Sequence, residues 1–398
     1  MDQRIIIPAE ASFEERYTAS ELRAAIAEYQ GITSEIICDS GADGDIYIGD
    51  ADMPEGDGYV IRSEGDRVYI CAGSAYGYEA AMSALREELR TKESLDGITS
   101  LSGDGVSLRT CGAKRAGRVR YMNYNVYGWN NKKANTTPAE RQPFQLSLLR
   151  SYNADILAFQ EFGKHYRKQE FLGGLEALGY TEVGNGELRN EKGTNLTPLF
   201  YRADTLKVVA CGYRLFGGAN DVSSKSVTWA VFERNDDKKR FIAMCTHFMW
   251  NDPELEAGVA NKTRCSNAVE LTELLADIRA EHGNLPMIVG GDLNCSYGRG
   301  DTEPLDILAE SGLVRVQSAA DDSGCALNSV NGHGAYAVWD TEAELFITCP
   351  SHSSKSGEWS IDHVWQDGLL VELFATVTDR YACLSSDHSP KITDFSIN

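Results

Sequence analysis

Six short clusters of polar residues close apolar runs of this chain, and all are of types that handle phosphate and divalent cations. They are Asn125, Gln160-Glu161 after Ile156-Leu-Ala-Phe159, Thr246-His247, Gly291-Asp292-Leu-Asn294, Asp362-His363 and Ser386-Asp387-His388. Each falls where the hydrophobic pattern places a strand end, or the approach to a strand, positions at which a loop can be polar while the strand fixes its place. Hydrolysis of a phosphoester needs a cation for the phosphoryl oxygens, a group that activates or orients water, and donors that follow the developing charge. Carboxylates, histidine and asparagine supply all three. Mg²⁺ keeps several waters and takes one or two carboxylates, so the separated Glu161 and Asp387 suit it better than a dense cage would; Mn²⁺ is the alternative ion.

The elements that must position these residues are legible in the periodicity. Apolar runs predict strands over Val119–Val126, Asp155–Glu161, Val227–Glu233, Phe241–Phe248, Met287–Asp292, Ile361–Trp365 and Ile392–Phe395. Between them, Pro138 opens a helix that includes Leu146 and Leu149, and Ala268, Leu271, Leu275 and Ile278 form the buried stripe of another. Strands alternating with helices give a layered α/β domain. Residues 1–116 read as a separate small α+β domain with a connector. In it, Ile5-Ile-Ile7 and Asp45–Gly49 are strands, and Thr18-x-x-Glu21 is a capping-box signature ahead of a helical stripe. Gly58–Arg62 and Arg67–Cys71 form a hairpin, Tyr78–Arg90 is a second helix, and residues 92–117 are rich in Ser, Gly and charge.

In this order the six clusters resemble the endonuclease/exonuclease/phosphatase family, which includes deoxyribonuclease I, abasic-site endonucleases, neutral sphingomyelinases, inositol-polyphosphate 5-phosphatases and deadenylases. The resemblance covers residues 117–398 and implies a four-layer α/β sandwich, two mixed sheets flanked by helices. It implies that Glu161 ligates the metal, that Asn125 supports the metal and phosphate shell, and that Asp387 completes the metal-side carboxylates. Asp292 would activate or orient the attacking water, and Asn294 would donate to the phosphate. His247 would contact the scissile phosphate or assist as an acid. Asp362 would orient His388, which would stabilise the charged transition state. The chain departs from the family's nucleases at Tyr127, where some of them carry a second acidic residue. His363, next to Asp362 on a strand, should face the other way and read as structural. The first hundred residues resemble the non-catalytic domain that precedes the barrel in several bacterial glycosidases, on the Tyr47-Ile-Gly49 strand, the Gly58-Tyr-Val-Ile61 hairpin and Gly73-Ser-Ala-Tyr-Gly-Tyr78.

Composition narrows the partners. A net charge of -21 repels polyanions, so the expected substrate is a phosphate ester other than bulk nucleic acid. The share of the charge is even: 22 acidic and 11 basic residues lie in 1–116, and 37 acidic and 27 basic in the remainder. No Lys/Arg cluster is present to grip a nucleic-acid backbone, which ranks an Mg²⁺-dependent nuclease below the phosphoesterase. A catalytically retired binding module is the other alternative, and the presence of Glu161, Asp292, Asn294 and His388 speaks against it. Residues 1–116 read as a structural or interface domain, with carbohydrate or protein contact as the alternative, and substrate selection is the expectation for the Gly-, Ser- and Asp-rich 296–358. Trp129–Lys133 are expected either to line the cleft mouth or to form a plain exposed loop. The ten cysteines are scattered without metal-site spacing and read as reduced thiols. No stretch reaches the length of a membrane span, and the first residues lack a signal-peptide pattern. The expectation is a cytoplasmic protein if the chain is complete, and a secreted or surface one if a leader has been removed.

Overall fold

The computed structural model describes residues 3–39, 41–49, 53–92, 95, 98, 100–128, 136–220 and 224–397. Trp129–Lys133 lie outside these. The chain forms two compact units, Met1–Gly112 with Val338–Thr348, and Ala113–Ala337 with Cys349–Asn398. The division comes just before the boundary expected from sequence, and the hairpin within 338–348 joins the first unit.

In the first unit the elements run β1 (Gln3–Ile7), α1 (Phe13–Gln30), β2 (Ser34–Cys38), β3 (Ile46–Ile48), β4 (Gly58–Glu64), β5 (Arg67–Ala72), α2 (Ala75–Lys92) and β6 (Leu101–Asp104). They build a six-stranded sheet of order β2-β1-β3-β5-β4-β6. Ile5, Ile7, Ile46, Ile48, Ile61 and Ile70 bury one face of it with Leu22, Ile26 and Leu85 of the helices. Two expectations are corrected here. The capping box is Ser12 with Glu15, so α1 begins before Thr18, which is buried inside the helix. The stretch 92–117 also holds β6, an edge strand paired with β4.

The second unit continues with β7 (Val119–Asn125), α3 (Pro138–Tyr152), β8 (Ile156–Gln160), α4 (Gln169–Ala177), β9 (Tyr180–Glu182), β10 (Leu199–Arg202), β11 (Leu206–Leu215), β12 (Ser226–Arg234), β13 (Arg240–His247) and α5 (Val259–His282). It goes on through β14 (Met287–Asp292), α6 (Glu303–Glu310), β15 (Val314–Arg315), α7 (Val316–Ala319), β16 (Asp322–Cys325) and α8 (His333–Tyr336). The chain then contributes β17 (Val338–Asp340) and β18 (Leu345–Thr348) to the first unit and returns as β19 (Asp362–Asp367), β20 (Leu369–Thr376), α9 (Arg380–Ser385) and β21 (Lys391–Ile397). Two mixed sheets result, β16-β20-β21-β7-β8-β10-β9 and β11-β12-β13-β14-β19-β15.

Tyr121, Ile156 and Ala158 of the first of these sheets and Phe232, Phe241, Cys245 and Ile288 of the second share one apolar core. Ala268, Leu271, Leu275 and Ile278 of α5 pack on the second sheet. On the first sheet, α3 and α9 are fixed by Tyr152 Oη donating to Asp379 at 2.6 Å and by Gln145 donating to the carbonyls of Val126 and Ser385. The unit is therefore a four-layer α/β sandwich. Its central strands are buried on both faces, which explains why β8 reads as a continuous apolar run and why β7 is buried along its whole length. β11 escaped the sequence reading because it is an edge strand whose Lys207, Cys211, Gly212 and Arg214 break the alternation.

The centre of the sandwich also carries charge. Arg120 is 1% exposed and grips Asp394 with two bonds of 2.7 Å, tying β7 to β21, while its Nη1 donates to Tyr152 O. Removing one partner of a buried pair strands the other charge, at a cost of about 3–5 kcal/mol. Arg120→Met should accordingly lower the urea midpoint of this unit sharply, and Arg120→Met with Asp394→Leu should recover part of the loss; equal midpoints for the single and double variants would contradict the pairing.

Candidate active site

Strand register sets the site. His247 pairs with Asp292 across the parallel β13–β14 ladder, and Asp292 pairs with Asp362 across the antiparallel β14–β19 ladder. Three of the sequence-selected residues therefore stand side by side on neighbouring strands. The facing sheet brings Asn125 beside Gln160 at the ends of β7 and β8, and the segment before β21 brings Asp387 and His388. All eight residues selected from the sequence gather at this one edge of the sandwich.

Glu161 follows β8 in the left-handed region, with φ +59°. There its Oε2 accepts from Gly128 N at 3.2 Å. A Cβ at residue 128 would stand 1.7 Å from the Glu161 carbonyl oxygen, so only glycine lets this backbone pass so close. Asn125 is 1% exposed; its amide donates to Asp292 Oδ2 at 3.1 Å, and its Oδ1 accepts from Tyr127 N at 3.0 Å. Asp292 accepts from Asn294 N at 3.0 Å, and Asn294 also takes a left-handed φ of +54°. The Asn294 amide reaches Phe248 O at 3.1 Å and His247 Nε2 at 3.2 Å.

The two histidines differ in charge. His388 Nδ1 lies 2.7 Å from Asp362 Oδ2. Burial works against the imidazolium, but Asp362, with Asp387 and Asp292 behind it, holds His388 well above the ordinary histidine range. Its Nε2 is 4.0 Å from Asp292. His247 is depressed to about 3 by burial and by Lys225, whose Nζ is 2.7 Å from His247 Nε2. His247 is thus neutral and accepts at Nε2, a state that contacts donors rather than delivering a proton. Its Nδ1 has no hydrogen-bond partner among the described residues.

Lys225 was not selected from the sequence. It immediately precedes β12, whose first residue Ser226 pairs with His247, so it stands one residue outside the row of strand-end residues and beside it. A lone lysine ahead of Ser226-Val-Thr-Trp carries no motif; the signal is its register against the strand ending in His247. Lys225 is 4% exposed and, with Glu161, His247, Asp292, Asn294 and His388, lines a cavity of about 400 Å³. Trp250 lines the same cavity yet is 46% exposed. His363 faces the opposite side of β19, where Nε2 meets Cys295 O at 2.9 Å.

Two carboxylates here are only partly matched by the cations around them, Glu161 by His388 and Lys225 and Asp387 by His388 and Arg141. Burial, then repulsion from Asp387, pushes Glu161 up to about 7. Burial also raises Asp387, whose Oδ1 has no hydrogen-bond partner among the described residues. No described ion pair closes on either. A hard divalent cation is the group such a pair fits. Ligand atoms of Asp292, Asp362 and His388 also come within 4.8 Å of one another, but the His388 nitrogen facing Asp362 is engaged by the short bond to it. The ten cysteines are thiols, and among the described residues no helix is long and apolar enough to cross a membrane.

A family model described as the Endonuclease/Exonuclease/phosphatase family matches residues 145–388. The endonuclease/exonuclease/phosphatase from Bacteroides vulgatus is 20% identical with a TM-score of 0.54, over 71% of this chain and 99% of that one. The mannosyl-6-phosphatase of Bacteroides thetaiotaomicron is 18% identical with a TM-score of 0.51, over 70% and 100%. The human Nocturnin catalytic domain, solved with sulfate, is 17% identical with a TM-score of 0.50, over 72% and 96%. At these identities the shared property is the fold. No curated protein matches the sequence significantly.

One buried cation close to the site gives a pH signature. Lys391 Nζ donates to Leu327 O at 2.8 Å and Thr376 Oγ1 at 2.6 Å, and burial lowers it to about 7 from its usual 10.5 despite nearby Asp362. The folded state binds this proton less tightly than the unfolded chain. The penalty is therefore complete below about 7 and is relieved as pH rises from there towards 10.5. Urea unfolding of wild type and Lys391→Met should diverge in slope over that window, the wild type gaining stability relative to the variant; parallel profiles would show that Lys391 is not depressed.

Proposed function

Because this chain belongs to the endonuclease/exonuclease/phosphatase family, we propose that it is a metal-dependent phosphoesterase that hydrolyses a small, soluble phosphate ester by attack of water. The observation that carries the reading is the gathering of Glu161 and Asp387, two carboxylates that close no ion pair among the described residues, beside the His388 imidazolium. Glu161 and Asp387 would hold Mg²⁺ or Mn²⁺, and Asn125 fixes the neighbouring backbone and Asp292. When bound, the ion neutralises phosphoryl oxygens and polarises the phosphorus for attack.

The remaining work falls to the chain's own groups. Asp292, oriented by the Asn125 amide and the Asn294 N–H, receives the proton of the attacking water. His388, kept cationic and aimed by Asp362, donates from Nε2 to the phosphoryl group as charge builds. Asn294 and neutral His247 form the wall against which the phosphoryl group rests. The cavity of about 400 Å³ and the net charge of -21 favour a small anion over a polymer. The sugar-phosphate substrate named for the Bacteroides thetaiotaomicron phosphatase is of this size class.

Turnover of p-nitrophenyl phosphate and bis-p-nitrophenyl phosphate should require Mg²⁺ or Mn²⁺ and stop with EDTA. Asp292→Asn and His388→Ala should each lower kcat by ~10²–10⁴ with an unchanged circular dichroism spectrum. Metal-independent turnover, or near-wild-type kcat in either variant, would remove the assigned roles.

A further inference from the structure

We propose that Trp250 is a specificity-determining residue, a fixed aromatic plate on which the leaving group of the ester stacks, and that this leaving group carries a sugar ring. The inference deepens the phosphoesterase reading and rests on it for the identity of the reacting group. Trp250 lines the cavity that holds Glu161, His247, Asp292, Asn294 and His388, and it is 46% exposed. The other described tryptophans are occupied. Trp365 is 2% exposed in the core, Trp229 lies 6.1 Å from the His282 ring, Trp339 meets Phe346 at 5.0 Å, and Trp359 carries Lys355 Nζ at 4.3 Å. Among the described residues no ring and no cation stacks on Trp250.

The backbone aims this plate. Met249 N donates to Asn267 Oδ1 at 3.1 Å, Arg264 Nη1 donates to Met249 O at 3.3 Å and to Asn251 Oδ1 at 2.7 Å, and Asp252 N closes a turn on Trp250 O at 3.0 Å. Asn267 is 0% and Arg264 2% exposed, so both flanks of Trp250 are tied to buried groups of α5. Two residues earlier, Phe248 O accepts from the Asn294 amide at 3.1 Å, which puts the plate and a phosphate-side residue on one braced segment. An indole held in water beside a charged cavity forgoes the burial its apolar area would gain, and a flat apolar face laid on it recovers that gain. The rest of the described lining is polar or charged and holds no second Phe, Tyr or Trp. One plate opposite polar groups suits a pyranose, whose C–H face packs on the indole while its hydroxyl rim takes hydrogen bonds. A nucleobase would turn its second aromatic face to carboxylates.

The test uses the full chain with Mg²⁺ and phosphate esters of primary alcohols, so that the bond broken is of one kind throughout. The best of glucose, mannose and galactose 6-phosphates should exceed glycerol 3-phosphate in kcat/KM by about fivefold to tenfold, the worth of one aromatic contact. Trp250→Ala should bring the two within about twofold, chiefly through KM, and Trp250→Phe should keep part of the preference. In an Asp292→Asn background, calorimetry should show the same ordering in binding. Turnover of both kinds of ester by wild type with no preference for the pyranose would overturn the proposal while leaving the phosphoesterase intact, and it needs no variant, so a poorly folded Trp250→Ala is no shield. A preference that survives in folded Trp250→Ala would overturn it as well. Adenosine 5′-monophosphate preferred over every hexose phosphate, through Trp250, would make the occupant a nucleobase and overturn the sugar assignment. Trp250-dependent binding of a hexose phosphate with no ester turned over would keep the plate and discard the phosphoesterase.

Discussion

Four carboxylates, Glu161, Asp292, Asp362 and Asp387, converge at one edge of the second unit. Asp292 and Asp362 are each 2% exposed, and Glu161 and Asp387 are raised by lost solvation. Like charges brought together away from water repel strongly, and burial weakens the screening that would relieve them. The surrounding structure answers that repulsion residue by residue. Asp362 is matched by the His388 imidazolium, Asp292 by the Asn125 amide and the Asn294 N–H, and Glu161 in part by His388 and Lys225. The Glu161–Asp387 pair remains, and its unmet demand is the strongest structural argument for a divalent cation.

Such compensation requires that the groups cannot drift. Register supplies this: His247, Asp292 and Asp362 are placed by two consecutive ladders, and any slip by one residue would turn each to the other face. The facing sheet is anchored by the buried Arg120–Asp394 pair and by the α3 contacts to Val126 and Ser385. Local backbone then aims the ligands. Tyr127, Glu161 and Asn294 all take positive φ, a conformation that costs non-glycine residues roughly 1–2 kcal/mol. Two of them, Glu161 and Asn294, line the same cavity, which indicates that the fold gives up stability to direct these side chains.

Much of this was legible in the chain because both-face burial leaves strands as apolar runs that stop abruptly at polar residues. Asn125, Glu161, His247, Asp292 and Asp387-His388 are visible for that reason, and so is the α/β layering. Features that depend on partners distant in sequence were not visible. Lys225 gains significance from the strand beside it rather than from its neighbours in the chain. The box at Ser12 and Glu15 was passed over for Thr18-x-x-Glu21 because the spacing occurs twice, and the apolar stripe does not say where a helix starts. The excursion of 338–348 into the first unit is invisible locally, since a short hairpin with Trp339 and Phe346 has no address written in its own residues.

The charge of the chain and the chemistry of the cavity pull in opposite directions, and distance decides between them. Most of the 59 acidic side chains act through water, where a field fades over about 8 Å at physiological ionic strength. The His388–Asp362 contact of 2.7 Å lies inside the protein, where screening is weak. A long polyanion must cross the outer field at many points along its length, whereas a compact anion crosses it once.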